Sequence, residues 1–209
     1  TDREMINNIL SNTALLVVDM QNGFLSESGG MSKLGFDSSL LQKAIPGCVK
    51  LVKVARESGT PVIFTKYLYE KDFRDGGMQV EEIFPGIKDV ALCAKGSFDA
   101  EIIEDLRPAN EEIIIEKNRP SSFYSTRLEA YLRSQKISNL VICGVTTNIC
   151  VETTARDSAQ RDFGTYVVSN AVAEVDDFRH ETSLKALEHM FAKIVSVEDI
   201  QETWLKKNS

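Results

Sequence analysis

The chain predicts an α/β fold, a three-layer α/β/α sandwich around a six-stranded, mostly parallel sheet of Rossmann-like kind. Three observations carry that reading. The apolar runs are short and apolar throughout instead of alternating with polar residues. Stretches with helical apolar spacing separate them from end to end. Strands that are apolar on both faces need cover on both faces, which a parallel sheet between two helical layers supplies.

Ala14-Leu-Leu-Val-Val18 reads as a buried first strand that ends at Asp19. Pro46 to Ser58 has apolar residues at helical spacing (Val49, Val52, Val54, Ala55) and stops at Gly59, a helix-ending residue. Pro61-Val-Ile-Phe-Thr65 is the second strand, and Glu112-Ile-Ile-Ile-Glu116 the third, ending at Lys117. Thr126 to Ser134 is helical through Leu128, Tyr131 and Leu132. Leu140 to Gly144 is the fourth strand, followed by a polar turn and a helix over Ile149 to Arg161. Thr165-Tyr-Val-Val-Ser169 is the fifth strand, Glu181 to Phe191 a helix, Lys193-Ile-Val-Ser196 a short sixth strand, and Val197 to Lys206 a closing helix. Two segments are irregular. Gln21 to Asp37 and Tyr67 to Phe98 are glycine-rich, and each is either a flexible excursion or part of a site wall.

Composition narrows the function classes. At 209 residues the chain fits one domain over 1–209, with 43% hydrophobic and 26% charged residues. A net charge of −7 argues against nucleic-acid partners, whose binders carry a basic face. No apolar stretch approaches the roughly 20 residues that span a bilayer. Thr1 to Leu10 lack the apolar centre of a secretory signal. The four cysteines (Cys48, Cys93, Cys143, Cys150) form no C-x-x-C pair, and His180 and His189 are the only histidines. Dispersed thiols fit a reducing cytoplasm better than a disulfide framework, and they offer no metal centre. Neither a Gly-x-Gly-x-x-Gly turn nor a phosphate loop opens any helix, so no cofactor is expected.

Parallel sheets bind ligands beyond the carboxyl ends of their strands. Three strands deliver potent groups to that rim: Asp19, Lys117 and, just past the fourth strand, Cys150. Taken alone, each has a plain structural reading. Asp19 caps a turn, Lys117 is a solvated strand end, and Cys150 is either a packed thiol or one activated at a helix N-terminus. Together they form a set: a nucleophile, a base to take its proton, and a cation that favours both anions.

With these residues in place, the chain resembles the isochorismatase-like cysteine hydrolases. That family includes nicotinamidases, N-carbamoylsarcosine amidase, ureidoacrylate amidohydrolases and biuret hydrolases. The resemblance rests on Ala14-Leu-Leu-Val-Val-Asp-Met-Gln-Asn22, Glu116-Lys-Asn-Arg-Pro-Ser-Ser-Phe-Tyr124 and Gly144-Val-Thr-Thr-Asn-Ile-Cys-Val-Glu-Thr-Thr-Ala-Arg-Asp157. A weaker match is His180-Glu-Thr-Ser-Leu-Lys-Ala-Leu187, and order and spacing agree from Thr13 to about Val197. It implies that Asp19, Lys117 and Cys150 are a catalytic triad. It further implies a non-proline cis peptide at Val145–Thr146 that turns the Thr146 N–H toward substrate beside the Cys150 N–H, as an oxyanion hole.

The implied reaction is amide or carbamoyl hydrolysis through a thioester, with release of ammonia or an amine. Asp19 accepts a proton from a thiol whose pKa the helix N-terminus and Lys117 are expected to lower. Nicotinamidases of the family hold a metal through histidines after the second strand. Thr65 to Asp75 has none, which points to the metal-free N-carbamoyl and ureido branch. Phe24, Tyr67, Arg119, Phe123, Tyr124, Thr147 and Asn148 are expected pocket walls, with Arg119 either a carboxylate clamp or a surface ion pair. By resemblance the protein is a homodimer or homotetramer. The competing readings are a nicotinamidase-type amidase, a non-catalytic binding protein on this fold, and a redox sensor using Cys150 with Cys143.

Overall fold

Strand β1 (Thr13–Val18) is buried at every position, as its unbroken apolar run requires of a strand covered on both faces. It is the centre of the sheet in a computed structural model that describes residues 11–206. The signal-peptide reading of residues 1–10 lies outside the described residues. Strands β2 (Val62–Tyr67), β3 (Ile113–Lys117), β4 (Asn139–Val145), β5 (Gly164–Ala173) and β6 (Lys193–Val195) complete one sheet in the order β3-β2-β1-β4-β5-β6. Every pairing is parallel, so the expectation of a mostly parallel sheet resolves to an entirely parallel one.

The chain builds outward from β1 to β3, then returns to lay β4 on β1's other side, with Thr13 opposite Asn139 and Val18 opposite Gly144. The gap between the ends of β1 and β4 is therefore the topological switch point, where a doubly wound sheet opens a crevice. Gly144 sits there with φ +116°, and a Cβ on it would lie 2.1 Å from the Val18 carbonyl oxygen. Only glycine permits the two backbones to approach so closely.

Helix α1 (Ile45–Ser58) starts with Pro46 in its first turn and ends on left-handed Gly59, φ +69°. It packs on β1, β2, β4 and β5. Helices α2 (Leu128–Ser134), α3 (Glu152–Gln160), α4 (Asp177–Met190) and α5 (Val197–Leu205) follow; α5 lies along α1, while α3 packs against α4 and β5. Of the boundaries that differ from expectation, two have clear local reasons. Helix α4 begins four residues early because Asp176 caps it, accepting from the Arg179 N–H at 2.8 Å. Strand β5 runs four residues past its expected end because, after an irregularity at Ile142/Gly144, Val172 and Ala173 pair with Gly144 and Val145. Among the described residues no helix is long and apolar enough to cross a membrane.

Candidate active site

Asp19 follows directly on β1 and adopts φ +51°, a left-handed conformation that Asp tolerates better than most residues. Its carboxylate has no exposed surface and two committed donors. The Thr65 hydroxyl donates to Oδ1 at 2.6 Å, and the Lys117 ammonium donates to Oδ2 at 2.8 Å. Thr65 lies on β2, next to β1, while Lys117 ends β3 one strand farther out. Strands are about 4.8 Å apart, so only a long stem carries a charge across the end of β2. Lysine does so here, its Nζ lying 4.2 Å from the centroid of the Tyr67 ring. The same Nζ donates to the Arg119 carbonyl at 3.2 Å and contacts Cys150 Sγ at 3.5 Å. The three groups read from separate strand ends thus meet in one buried cluster.

Cys150 arrives from the other side of the switch point. After β4 the chain passes through a cis Val145–Thr146 bond into a π-helical turn, Thr147–Val151, that runs on into α3. The Thr146 carbonyl accepts from Val151 N–H at 3.2 Å and closes that wide turn. Helical turning brings residues i, i+3 and i+4 to one side, so Thr146, Ile149 and Cys150 share the face toward the cavity.

The thiol's electrostatics correct the expectation of a lowered pKa. Burial pushes the Cys150 thiol well above the ordinary cysteine value; Lys117 pulls it down, the Asp19 carboxylate pushes it up, and burial wins. Burial thus favours the neutral thiol over the thiolate at Cys150. Burial also opposes the charge on Lys117, but Asp19 and Cys150 beside it more than offset this and hold its pKa above the usual lysine value. Tyr67 is raised strongly by burial, and Tyr69 is pushed up to about 12, again chiefly by burial. Both rings face the cavity uncharged near neutral pH.

A cavity of about 400 Å³ opens over the cluster, within the ordinary range for small-ligand sites. Of the expected site residues, Phe24, Tyr67, Thr146 and Cys150 line it. Arg119, Phe123, Tyr124, Thr147 and Asn148 do not, which corrects five expected walls; Asp19 and Lys117 are not on its surface either but lie buried beneath the Cys150 thiol. Arg119 donates from Nη1 to the carbonyls of Asp75 and Asn118, at 2.9 and 2.7 Å. Phe123 is buried against Phe163 with its centroid 5.9 Å away, a core contact. Tyr124 is 59% exposed. Thr147 turns away from the cavity to bond His180 Nδ1 at 2.8 Å, and the Asn148 N–H is held by Glu174 at 3.3 Å.

Other residues escaped sequence reasoning. Thr65 was findable, since it lies two positions from Tyr67 on the same strand face. Glu174 and Arg179 also line the cavity, but they lie just beyond the stretch that reads as the fifth strand, where no motif marks them. The irregular segments are site wall: Met31, Phe36, Gln79, Ile83, Phe84 and Leu92 from them line the cavity. Cys143 has its neighbour thiol in Cys48, so the pairing a Cys143–Cys150 redox sensor needs is not assembled. Among the described residues no group of three or more His, Cys, Asp or Glu side chains is arranged to hold a metal ion.

Comparison with known proteins agrees with this architecture. The Isochorismatase domain family matches residues 13–199. The ureidoacrylate amidohydrolase RutB of Pseudomonas savastanoi pv. phaseolicola is 32% identical over 205 residues, spanning 92% of this chain and 83% of that protein. RutB of Agrobacterium fabrum is 30% identical over 202 residues, covering 90% and 88%. Among solved structures, a cysteine hydrolase from Pseudomonas syringae pv. phaseolicola superposes with a TM-score of 0.86 at 26% identity, covering 94% of this chain and 93% of that one. The N-carbamoylsarcosine amidase of Thermoplasma acidophilum superposes at 0.74 with 26% identity, covering 89% and 96%. With the sheet order, the buried cluster and these relatives in agreement, the chain belongs to the isochorismatase family of hydrolases.

Proposed function

We propose that Cys150 is the nucleophile of this amidohydrolase, Asp19 its proton acceptor and Lys117 the cation that orients both. The observation that carries the reading is the shared ammonium, 2.8 Å from Asp19 Oδ2 and 3.5 Å from Cys150 Sγ. Because burial favours the neutral thiol, proton transfer to Asp19 accompanies attack on the carbonyl carbon instead of preceding it. Sulfur bonds to carbon and the carbonyl π pair moves to oxygen. The backbone N–H groups of Thr146 and Cys150 receive that oxyanion. As the C–N bond breaks, Asp19 returns the proton to the leaving nitrogen. Water then attacks the thioester, Asp19 takes its proton, and the thiol is restored as the acid leaves.

The substrate class we propose is a small carboxamide, N-carbamoyl or ureido compound, supported by relatives named for ureidoacrylate and N-carbamoylsarcosine hydrolysis. A homodimer or homotetramer is the state in which we expect the enzyme to work, supported by apolar Ile83 and Phe178 standing 73% and 78% exposed. A reducing cytoplasm is the compartment that suits four free buried thiols.

Ammonia release tests the scheme. Cys150→Ala is expected to lose about 10⁴-fold or more in kcat while keeping its fold. Substantial turnover by that variant would remove Cys150 from the mechanism. Mass spectrometry of the acid-quenched wild-type enzyme is expected to find the acyl group on Cys150.

A further inference from the structure

The turn that carries the nucleophile is held from outside by one corner of the fold, and the irregularity in β5 brings that corner to it. Ile142 of β4 faces Val167, but Gly144 faces Val172 and Val145 faces Ala173. Had the first register continued, Thr146 would stand level with Ala171. The shift brings Glu174 there instead, a use to which irregularities beside a site are well suited. Alanine offers the turn no polar atom; glutamate offers two acceptors.

Glu174 uses both of them. Its side chain is 2% exposed, with Oε2 accepting from the Asn148 N–H at 3.3 Å and Oε1 from the Val175 N–H at 2.9 Å. Arg179 is 3.7 Å from the same carboxylate and half exposed, so the two amides are the closer partners. Asn148 lies midway between Thr146 and Cys150, and its N–H is one of those that the start of a helix leaves without an intrahelical acceptor. The Ile149 and Val151 amides both go to the Thr146 carbonyl, at 3.3 and 3.2 Å. A second tie comes from the same corner: His180, near the start of α4, meets Thr147 Oγ1 through Nδ1 at 2.8 Å. Two successive residues between the proposed oxyanion donors are thus fastened to the segment that joins β5 to α4. Burying a carboxylate here costs stability that an apolar residue would not, and the reaction scheme above leaves Glu174 without a part.

We infer that Glu174 is a positioning residue: by holding the Asn148 amide it sets the direction of the Thr146 and Cys150 N–H groups at the oxyanion. The inference rests on the amidohydrolase reading for the oxyanion itself. Two N–H donors face the side chain, so a carboxylate serves both, whereas glutamine could accept from only one.

Two small reagents separate positioning from packing, because only one of them needs the oxyanion donors. With butanal labelled with carbon-13 at its carbonyl, Cys150 Sγ bonds to the aldehyde carbon and the thiol proton ends on the oxygen. The hemithioacetal so formed places that oxygen where the oxyanion would lie. With iodoacetamide, Sγ displaces iodide from a methylene carbon, the proton passes to solvent and no oxyanion forms. Wild-type enzyme is expected to show a hemithioacetal signal that Cys150→Ala lacks. Glu174→Gln is expected to weaken that adduct about fivefold and Glu174→Ala about tenfold or more, with alkylation of Cys150 within about twofold of wild type. An adduct of unchanged strength in both variants, or equal losses in both reactions, overturns the inference. Hydrogen exchange over residues 145–151 reads the turn without chemistry at Cys150. It is expected to quicken in Glu174→Gln while the rest of the chain stays as it was, and unchanged exchange there would likewise overturn the inference. If wild-type enzyme forms no adduct but the turn still loosens in the variant, the amidohydrolase reading fails and the hold of Glu174 on the turn stands.

Discussion

The floor and the roof of this cavity are built on opposite principles. The floor is polar, fully buried and held by strand ends: Asp19, Lys117 and Thr65 satisfy one another at 2.6 to 2.8 Å. The roof is apolar, partly exposed and carried by two excursions, from the ends of β1 and β2, whose side chains touch by ring edges and van der Waals contact. A strand end is fixed by the whole ladder behind it, so the floor cannot drift without unpairing the sheet. A loop wall answers only to its neighbours, so it can change composition without disturbing the floor. Reaction class therefore belongs to the floor and substrate choice to the roof.

The largest test of that contrast is Lys117→Met. It leaves Asp19 as a buried, unpaired carboxylate and is expected to cost about 3–5 kcal/mol in urea unfolding, along with most activity. Adding Asp19→Asn removes the stranded charge and is expected to recover most of that stability but no turnover. A loss below about 1 kcal/mol in the single variant would show that the floor is not the tightly coupled unit described.

The next test uses pH. Cys93, Cys143 and Cys150 all have folded-state pKa values raised by burial. A raised pKa contributes stability that is complete below the unfolded value, about 8.5 for cysteine, and is lost as pH climbs toward the folded value. Melting temperature is therefore expected to fall from about pH 8.5 upward, and iodoacetamide labelling of Cys150 to keep accelerating through that range. A labelling rate that levels off below pH 7 would instead mean a resting thiolate.

Roof changes are expected to be gentler. A double-mutant cycle on Phe36→Ala and Phe84→Ala should give a coupling of about 0.5–1.5 kcal/mol, the worth of an edge-to-face pair. Zero coupling would separate the two loops. Smallest of all, Tyr124→Ala on the exposed surface is expected to stay within about 0.5 kcal/mol of wild type with kcat/KM unchanged.

What was legible in the sequence follows the same division. β1, β2 and β4 announce themselves because strands buried on both faces must be apolar throughout, the edge strands β3 and β6 are shorter apolar runs only partly buried, and Asp19 and Lys117 are readable as potent groups at strand ends. Cys150 is locally ambiguous, and only the sheet order brings it to the other two. Arg119 and Tyr124 were misplaced because their motif fixes the backbone path but not where each side chain points. Thr147 and Asn148 were misplaced for a different reason: a helical turn presents Thr146, Ile149 and Cys150 together, and the intervening positions face away. The expectation of a lowered thiol pKa weighed the helix N-terminus and Lys117, but the depth of burial that outweighs them cannot be read from a string of residues.

The strand order has one more consequence, for how the enzyme is made. Asp19 and Lys117 belong to the segment that forms β1 to β3, whereas Thr146 and Cys150 belong to the segment that forms β4 to β6. On the ribosome the first segment emerges with β1 as an open, wholly apolar edge, and it waits for a partner that begins 126 positions later, Asn139 against Thr13. Neither half holds a complete reaction centre. A chain divided in the loop between α2 and β4 would thus regain hydrolysis only when its fragments reassociate, making the enzyme's own turnover a reporter of its assembly.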